Sequence, residues 1–230
     1  MDVEFIRTTI ARLRSEPRAE HVFDISTDSF VLLPPVQDAE VAVFEARYAI
    51  TLPVDYRCFL LEVGNGGAGP GYGILPLGTR TVQRHPTAFD AHVESGWSAS
   101  LPFNHRYAWN RTPPPNGSEP EHFLEFECWQ EEYLDPWWMS GAVPISSLGC
   151  GLTDWLVVTG CEYGHVWGDY RADGGGIVPL GLPGKQRITF GDWYLSWLHH
   201  AVAVVEGREP LPPLPEVVPQ RAPTLFDGIE

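Results

Sequence analysis

The stretch SEPEHFLEFECWQEEYLD, residues 118–135, gathers seven carboxylates and interleaves them with aromatic rings. Glu125, Glu127, Glu131, Glu132 and Asp135 could hold arginine and lysine. Trp129, Trp137 and Trp138 could stack on guanidinium planes and supply anchor area that excludes water. These eight residues are the candidate partner-binding set. Neighbouring carboxylates such as Glu131 and Glu132 could instead move protons, but their crowding reads more simply as a solvated anionic face. Most acidic runs only keep a protein dissolved, and Trp137-Trp138 could equally be core.

Other patterns that could do chemistry lack the setting that chemistry needs. Gly64-x-Gly66-x-x-Gly69 has the letters of a dinucleotide fingerprint, which must follow a strand and open a helix. Here it follows a helical pattern and runs into Pro70. A tight backbone turn beside a neighbouring segment is the better reading. Asp169-x-Arg171-x-Asp173-Gly174 hints at a calcium loop, yet Arg sits at the third position and Leu180 stands where a bidentate Glu belongs, so a turn is expected. Cys150, Cys161 and His165 are spaced as no zinc finger is. His199 and His200 are neighbours on a helix, so they point apart. There is no G-x-S-x-G elbow. The expectation is no catalytic residue, no cofactor and no metal.

Charge narrows the partner. Fifteen Lys+Arg against thirty Asp+Glu give a net charge of −15, and Lys185 is the sole lysine. No basic residue occurs between Arg111 and Arg171. Binding to phosphate backbones needs a basic surface, so nucleic acid is a poor partner and a cationic protein a better one. The N-terminus has charges throughout and no apolar signal region, and no run reaches the roughly 18 apolar residues of a membrane span. Cys58, Cys128, Cys150 and Cys161 show no disulfide-like spacing. A cytoplasmic protein with reduced thiols and no membrane association is expected, as a monomer or weak dimer.

The elements that must position such a surface can be read in outline. Val3, Ile6, Ile10 and Leu13 make one face of an opening helix closed by Pro17. Residues 38–49 form a second helix burying Val41, Phe44 and Tyr48. Residues 52–78, LPVDYRCFLLEVGNGGAGPGYGILPLG, read as a helix, a glycine loop and a strand. Pro53 suits a first helical position, Tyr56, Phe59, Leu60 and Val63 form its apolar face, and Gly64 is expected to end it in the left-handed conformation. Phe30–Leu33 and Ile74–Leu77 read as strands, and Leu124–Cys128 as a short strand or a helical turn. Residues 79–120, broken by prolines, are expected to be loops with short helices. Ala142–Ile145, Trp155–Thr159, His165–Asp169 and Ile177–Leu180 read as successive antiparallel strands joined by glycine turns. Thr189-x-x-Asp192 opens a last helix with Trp193, Trp197, Ala201 and Val204 on one side, and Trp167 and Trp193 are expected in the core. After Glu206 a proline-rich tail begins. Helices followed by runs of strands predict an α+β fold: one domain over 1–206, mainly antiparallel sheet packed with helices, and a tail over 207–230.

The L-P-V-D-Y element at Leu52, the Pro34-Pro35 and helix 38–49 before it, Leu148-Gly149-Cys150-Gly151, Trp155–Gly160, Gly164–Asp169, Asp173–Leu180 and the aromatic helix from Asp192 follow one another in a fixed order. In that order the chain resembles the SUKH superfamily of bacterial immunity proteins, in its Smi-one/Knr-four branch, over about residues 30 to 200. The resemblance implies an α+β domain that performs no catalysis. It implies binding to a cognate polymorphic toxin domain, here one with a basic surface (a nuclease would have one). The alternative is an intracellular protein-binding or scaffold module, as the cell-wall regulators of the same branch suggest.

Overall fold

In the computed structural model, residues 1–22, 30–79, 96–114 and 120–218 are described. Expectations placed on Glu119, on residues 80–95 and on the tail beyond residue 218 fall outside them.

Helix α1 (Val3–Leu13) starts where the Asp2 carboxylate accepts the Phe5 N–H at 2.9 Å, and it buries Ile6, Ile10 and Leu13. Helix α2 (Asp38–Tyr48) starts with the Glu40 carboxylate reaching back to the Gln37 N–H. Helix α3 (Val54–Cys58) continues as one π turn over Phe59–Val63 and buries Tyr56, Phe59, Leu60 and Val63, the face its spacing predicts. Pro53 is the residue before the helix rather than its first. Gly64 is extended, with φ 173°, so the expected left-handed ending is corrected. Its glycine serves close approach instead: a Cβ there would lie 2.6 Å from the Leu33 carbonyl oxygen.

The glycine loop then passes between two stretches of backbone. Ala68 N–H donates to Val31 O at 2.8 Å, while Tyr72 and Leu75 N–H donate to Ser147 O and Ile145 O at 2.8 and 2.9 Å. Ile74–Leu77 is therefore not a full strand, and neither is Phe30–Leu33. Ile74 makes single bridges to Gly67 and Ser146, and Leu32 one to Gly67. The loop bonds across from both sides at points, without running parallel to either neighbour for long.

Strands β1 (Ala142–Gly149), β2 (Leu152–Val157), β3 (Val166–Tyr170), β4 (Gly176–Gly181) and β5 (Glu216–Val217) form one antiparallel sheet in sequence order. Between β3 and β4, Arg171–Asp173 makes the expected turn, closed by Gly174 in the left-handed region. Helix α5 (Phe190–Glu206) is opened by the predicted Thr189/Asp192 box, and it buries nearly its whole circumference.

Period-two alternation sends the sheet's side chains into two cores. On one face Val143, Ile145, Leu156, Val166 and Leu180 pack under α1, α3 and α5, meeting Phe59, Phe190, Trp193 and Tyr194. On the other, Trp155, Val157, Trp167 and Ile177 are covered by Phe103 and Met139, with Trp97, Trp109 and Trp138 around them. Trp167 and Trp193 are core, as expected. The outer sides of β1 and β4 are bonded as well. The glycine loop bonds to β1, while Trp109 exchanges two backbone hydrogen bonds with Ile177 and Val217 pairs with Leu180 along β4. No described helix is long and apolar enough to cross a membrane.

Candidate protein-docking surface

Leu124–Cys128 lies inside a helix, α4 (Pro120–Tyr133), which resolves the strand-or-turn alternative. The residues Pro120–Tyr133 include no glycine and no β-branched residue, and Glu, Leu and Gln favour a helix. The apolar alternation of Leu124, Phe126 and Cys128 mimics a strand only because the two faces of the helix interleave in sequence. Phe126, Trp129 and Tyr133 share one face, at helical spacing, and Tyr133 is buried. Leu124, Glu127, Cys128 and Glu131 share the opposite, exposed face.

The helix is bonded to the rest of the described structure through its last turn. Tyr133 O–H donates to the Asn110 side-chain oxygen, and Arg111 pairs with Glu132 at 2.8 Å. Trp138 Nε1 donates to Glu132 O at 2.9 Å. The strongest tie is Arg171, whose side chain is 1% exposed. Its Nε and Nη2 grip both oxygens of Asp169 at 2.7 and 2.8 Å, and its Nη1 donates to Tyr133 O at 2.6 Å and Asp135 O at 3.0 Å. The last turn of α4 contains no basic residue. Arg171 thus supplies from the β3–β4 turn the positive charge that a helix C-terminus favours.

An aromatic ladder runs beside this anchor. Trp129 stacks on Tyr133 at 4.6 Å, Tyr133 on Trp109 at 5.7 Å and Trp109 on Trp138 at 4.3 Å, with Trp137 edge-on to Trp138 at 5.1 Å. His105, buried among Phe103, Trp109, Trp138 and Trp167, hydrogen-bonds Trp138 O through Nε2 at 2.9 Å. Burial holds its pKa below the ordinary imidazole value.

The eight candidates therefore divide. Glu125, Glu127 and Glu131 are exposed, with no ion-pair partner among the described residues. Glu132 is exposed but paired with Arg111. Trp137 is 41% exposed. Trp129 and Trp138 are half-buried in the ladder, and Asp135 accepts the Trp137 N–H at 2.7 Å to cap the short 3₁₀ turn Pro136–Met139. Sequence reasoning did not single out Phe123 and Leu124, which stand 51% and 69% exposed on α4. Once α4 is known to be a helix, register places Leu124 opposite the row of Phe126, Trp129 and Tyr133, and Phe123 at its flank. Arg171 was also missed as an anchor, though it is the first basic residue after Arg111.

The other polar clusters are internally satisfied. Glu162 accepts from Arg187 Nε at 2.7 Å and lies 3.2 Å from His165 Nδ1. Asp154 is buried and accepts from Tyr170 O–H at 2.8 Å and Trp193 Nε1 at 3.0 Å; burial raises its pKa to about 6. A shallow cleft lined by Phe44, Tyr48, Leu77, Trp97 and Pro144 has no carboxylate, histidine, thiol or cation on its walls among the described residues. His199 sits near Phe5 and His200 bonds Pro212 O, so the two do point apart. All four cysteines are free thiols, and among the described residues no three His, Cys, Asp or Glu side chains gather as metal ligands would.

Fold and site together define an α+β domain whose sheet is covered on both faces and bonded along the outer sides of β1 and β4, with one anionic helix standing beside it. The pattern of the SMI1 / KNR4 family (SUKH-1) matches residues 35–178, well over half of the chain, and the chain belongs to that family. No curated protein and no solved structure matches it significantly.

Proposed function

We propose that this is an immunity protein that binds a cognate toxin domain and neutralises it by covering its active site or substrate groove, with no turnover and no cofactor. Family membership supports the class, since SUKH proteins are immunity and binding proteins. One structural observation carries the reading further. The outer sides of β1 and β4 carry backbone bonds and the edge strand β5 is only two residues long, so strand addition is a poor binding mode and the surface left for a partner is built of side chains. The most distinctive such surface is α4, with Glu125, Glu127, Glu131 and Glu132 and the nearby Trp137. An anionic surface of this kind complements the basic substrate groove of a nuclease-like toxin and speeds their encounter. The proposed setting is the cytoplasm, where a toxin acting on nucleic acid would have to be met.

The test is co-expression with the product of the reading frame beside this gene. The expected result is rescue of cells from that product and co-purification of a stoichiometric complex. Failure of both rescue and complex formation, or turnover of a metabolite by the purified protein alone, overturns the proposal.

A further inference from the structure

We propose that the outer face of α4 is where the toxin domain docks, and that the face enters a groove with an apolar floor and a rim of arginine and lysine. This rests on the immunity reading and names the contact within it.

The helix has more apolar surface than its own packing uses. Phe126, Trp129 and Tyr133 already make the inner row, and among the described side chains of the helix Tyr133 alone is buried. Leu124 lies on the outer face, and Phe123, about 100° round the helix from it, stands exposed at the flank between that face and the inner row. Single exposed apolar residues need no explanation, but two large neighbours on a helix with its own inward row suit contact with another molecule. One turn further on, the same face turns anionic through Glu127 and Glu131. Carboxylates near a helix C-terminus oppose its dipole, so Glu131 and Glu132 cost the isolated helix stability. Arg171 offsets that cost from below and leaves the outer carboxylates free.

Charge selects the occupant. Nucleic acid and anionic lipid are repelled. A second copy of this chain would bring another −15 against the same carboxylates. A basic-rimmed protein groove satisfies both halves of the face at once. Leu124 meets its floor, Phe123 touches its wall from the flank of the helix, and Glu127 and Glu131, at i+3 and i+7 from Leu124, meet its cations.

Cys128 sits in the middle of this face, exposed, while Cys150 at the β1–β2 turn and Cys161 before β3 are exposed elsewhere. The native chain thus carries its own footprint. The experiment compares maleimide labelling of the three thiols in the free protein and in the complex co-purified with the neighbouring frame's product. Labelling of Cys128 is expected to slow at least about tenfold in the complex, with Cys150 changed less than about twofold. Leu124→Asp, and separately Glu127→Lys with Glu131→Lys, are expected to weaken the complex at least about tenfold, with the far-ultraviolet spectrum unchanged because these side chains are exposed. A complex that forms while Cys128 labels at its free rate, or that tolerates all three substitutions, overturns the docking face and leaves the immunity role standing. Absence of any complex instead fails the immunity reading itself.

Discussion

Asp154 holds a carboxyl group between the sheet and α5, where a charge has little solvent to spread into. Burial raises its pKa to about 6, against the lowering pull of the Tyr170 and Trp193 hydrogen bonds. In the unfolded chain the same group loses its proton near pH 4. Between those two values the folded protein binds more protons than the unfolded one, so this group's contribution to stability falls as pH rises through the window. Above it both states are ionised and the cost is constant, about 3 kcal/mol at neutral pH. Asp154→Asn removes the titration and keeps the shape. Its amide oxygen can accept from Trp193 Nε1 and its NH₂ can donate to the Tyr170 oxygen. Relative to the native protein, the variant should gain stability steadily as pH rises from about 4 to about 6. Urea midpoints taken across that range check this, and parallel curves for the two proteins would show that Asp154 does not titrate within the window.

At the scale of elements, α4 depends on one buried ion pair for its place. Arg171→Met strips four hydrogen bonds and leaves the Asp169 carboxylate buried alone, a loss of about 3–5 kcal/mol. Pairing it with Asp169→Asn removes the stranded charge and should recover part of that loss. In the double variant, amides of α4 should exchange with deuterium at least about tenfold faster while β2 and α5 stay protected. Unchanged α4 protection would mean that the ladder, not Arg171, holds the helix. Elements whose ends carry their own signals were legible in the sequence. The Thr189/Asp192 box opened α5 as expected, and glycine turns separated β1 to β4 near their predicted places. Leu124–Cys128 was ambiguous because two helical rows interleave into a two-residue alternation. Gly64 misled because glycine serves a close approach as readily as a left-handed turn. In the candidate site the exposure of Glu125, Glu127, Glu131 and Glu132 was legible, since nothing local buries them, whereas Asp135 turns back to cap the Pro136–Met139 turn. The rings were not, because Trp109 and His105, remote in sequence, pack against Trp138, and Trp109 against the Tyr133 on which Trp129 stacks.

Over the whole molecule the net charge of −15 acts at distances where no single contact does. No Lys or Arg occurs from 112 to 170, and Arg171, the next one, is buried against Asp169, so the exposed carboxylates of α4 have only Arg111 beside them among the described ion pairs. A negative field accelerates diffusional encounter with a cationic partner and does little to hold the complex once formed. The two effects respond differently to salt. Raising ionic strength from about 0.05 M to about 0.5 M shortens the screening length severalfold and should slow association with the toxin domain by at least about tenfold. The dissociation rate should change less than about threefold, since the apolar floor under Leu124 is shielded from the added ions. Stopped-flow association and dissociation measured over that range separate the two. An association rate indifferent to salt would mean that the charge of this protein maintains its solubility and plays no part in finding its partner.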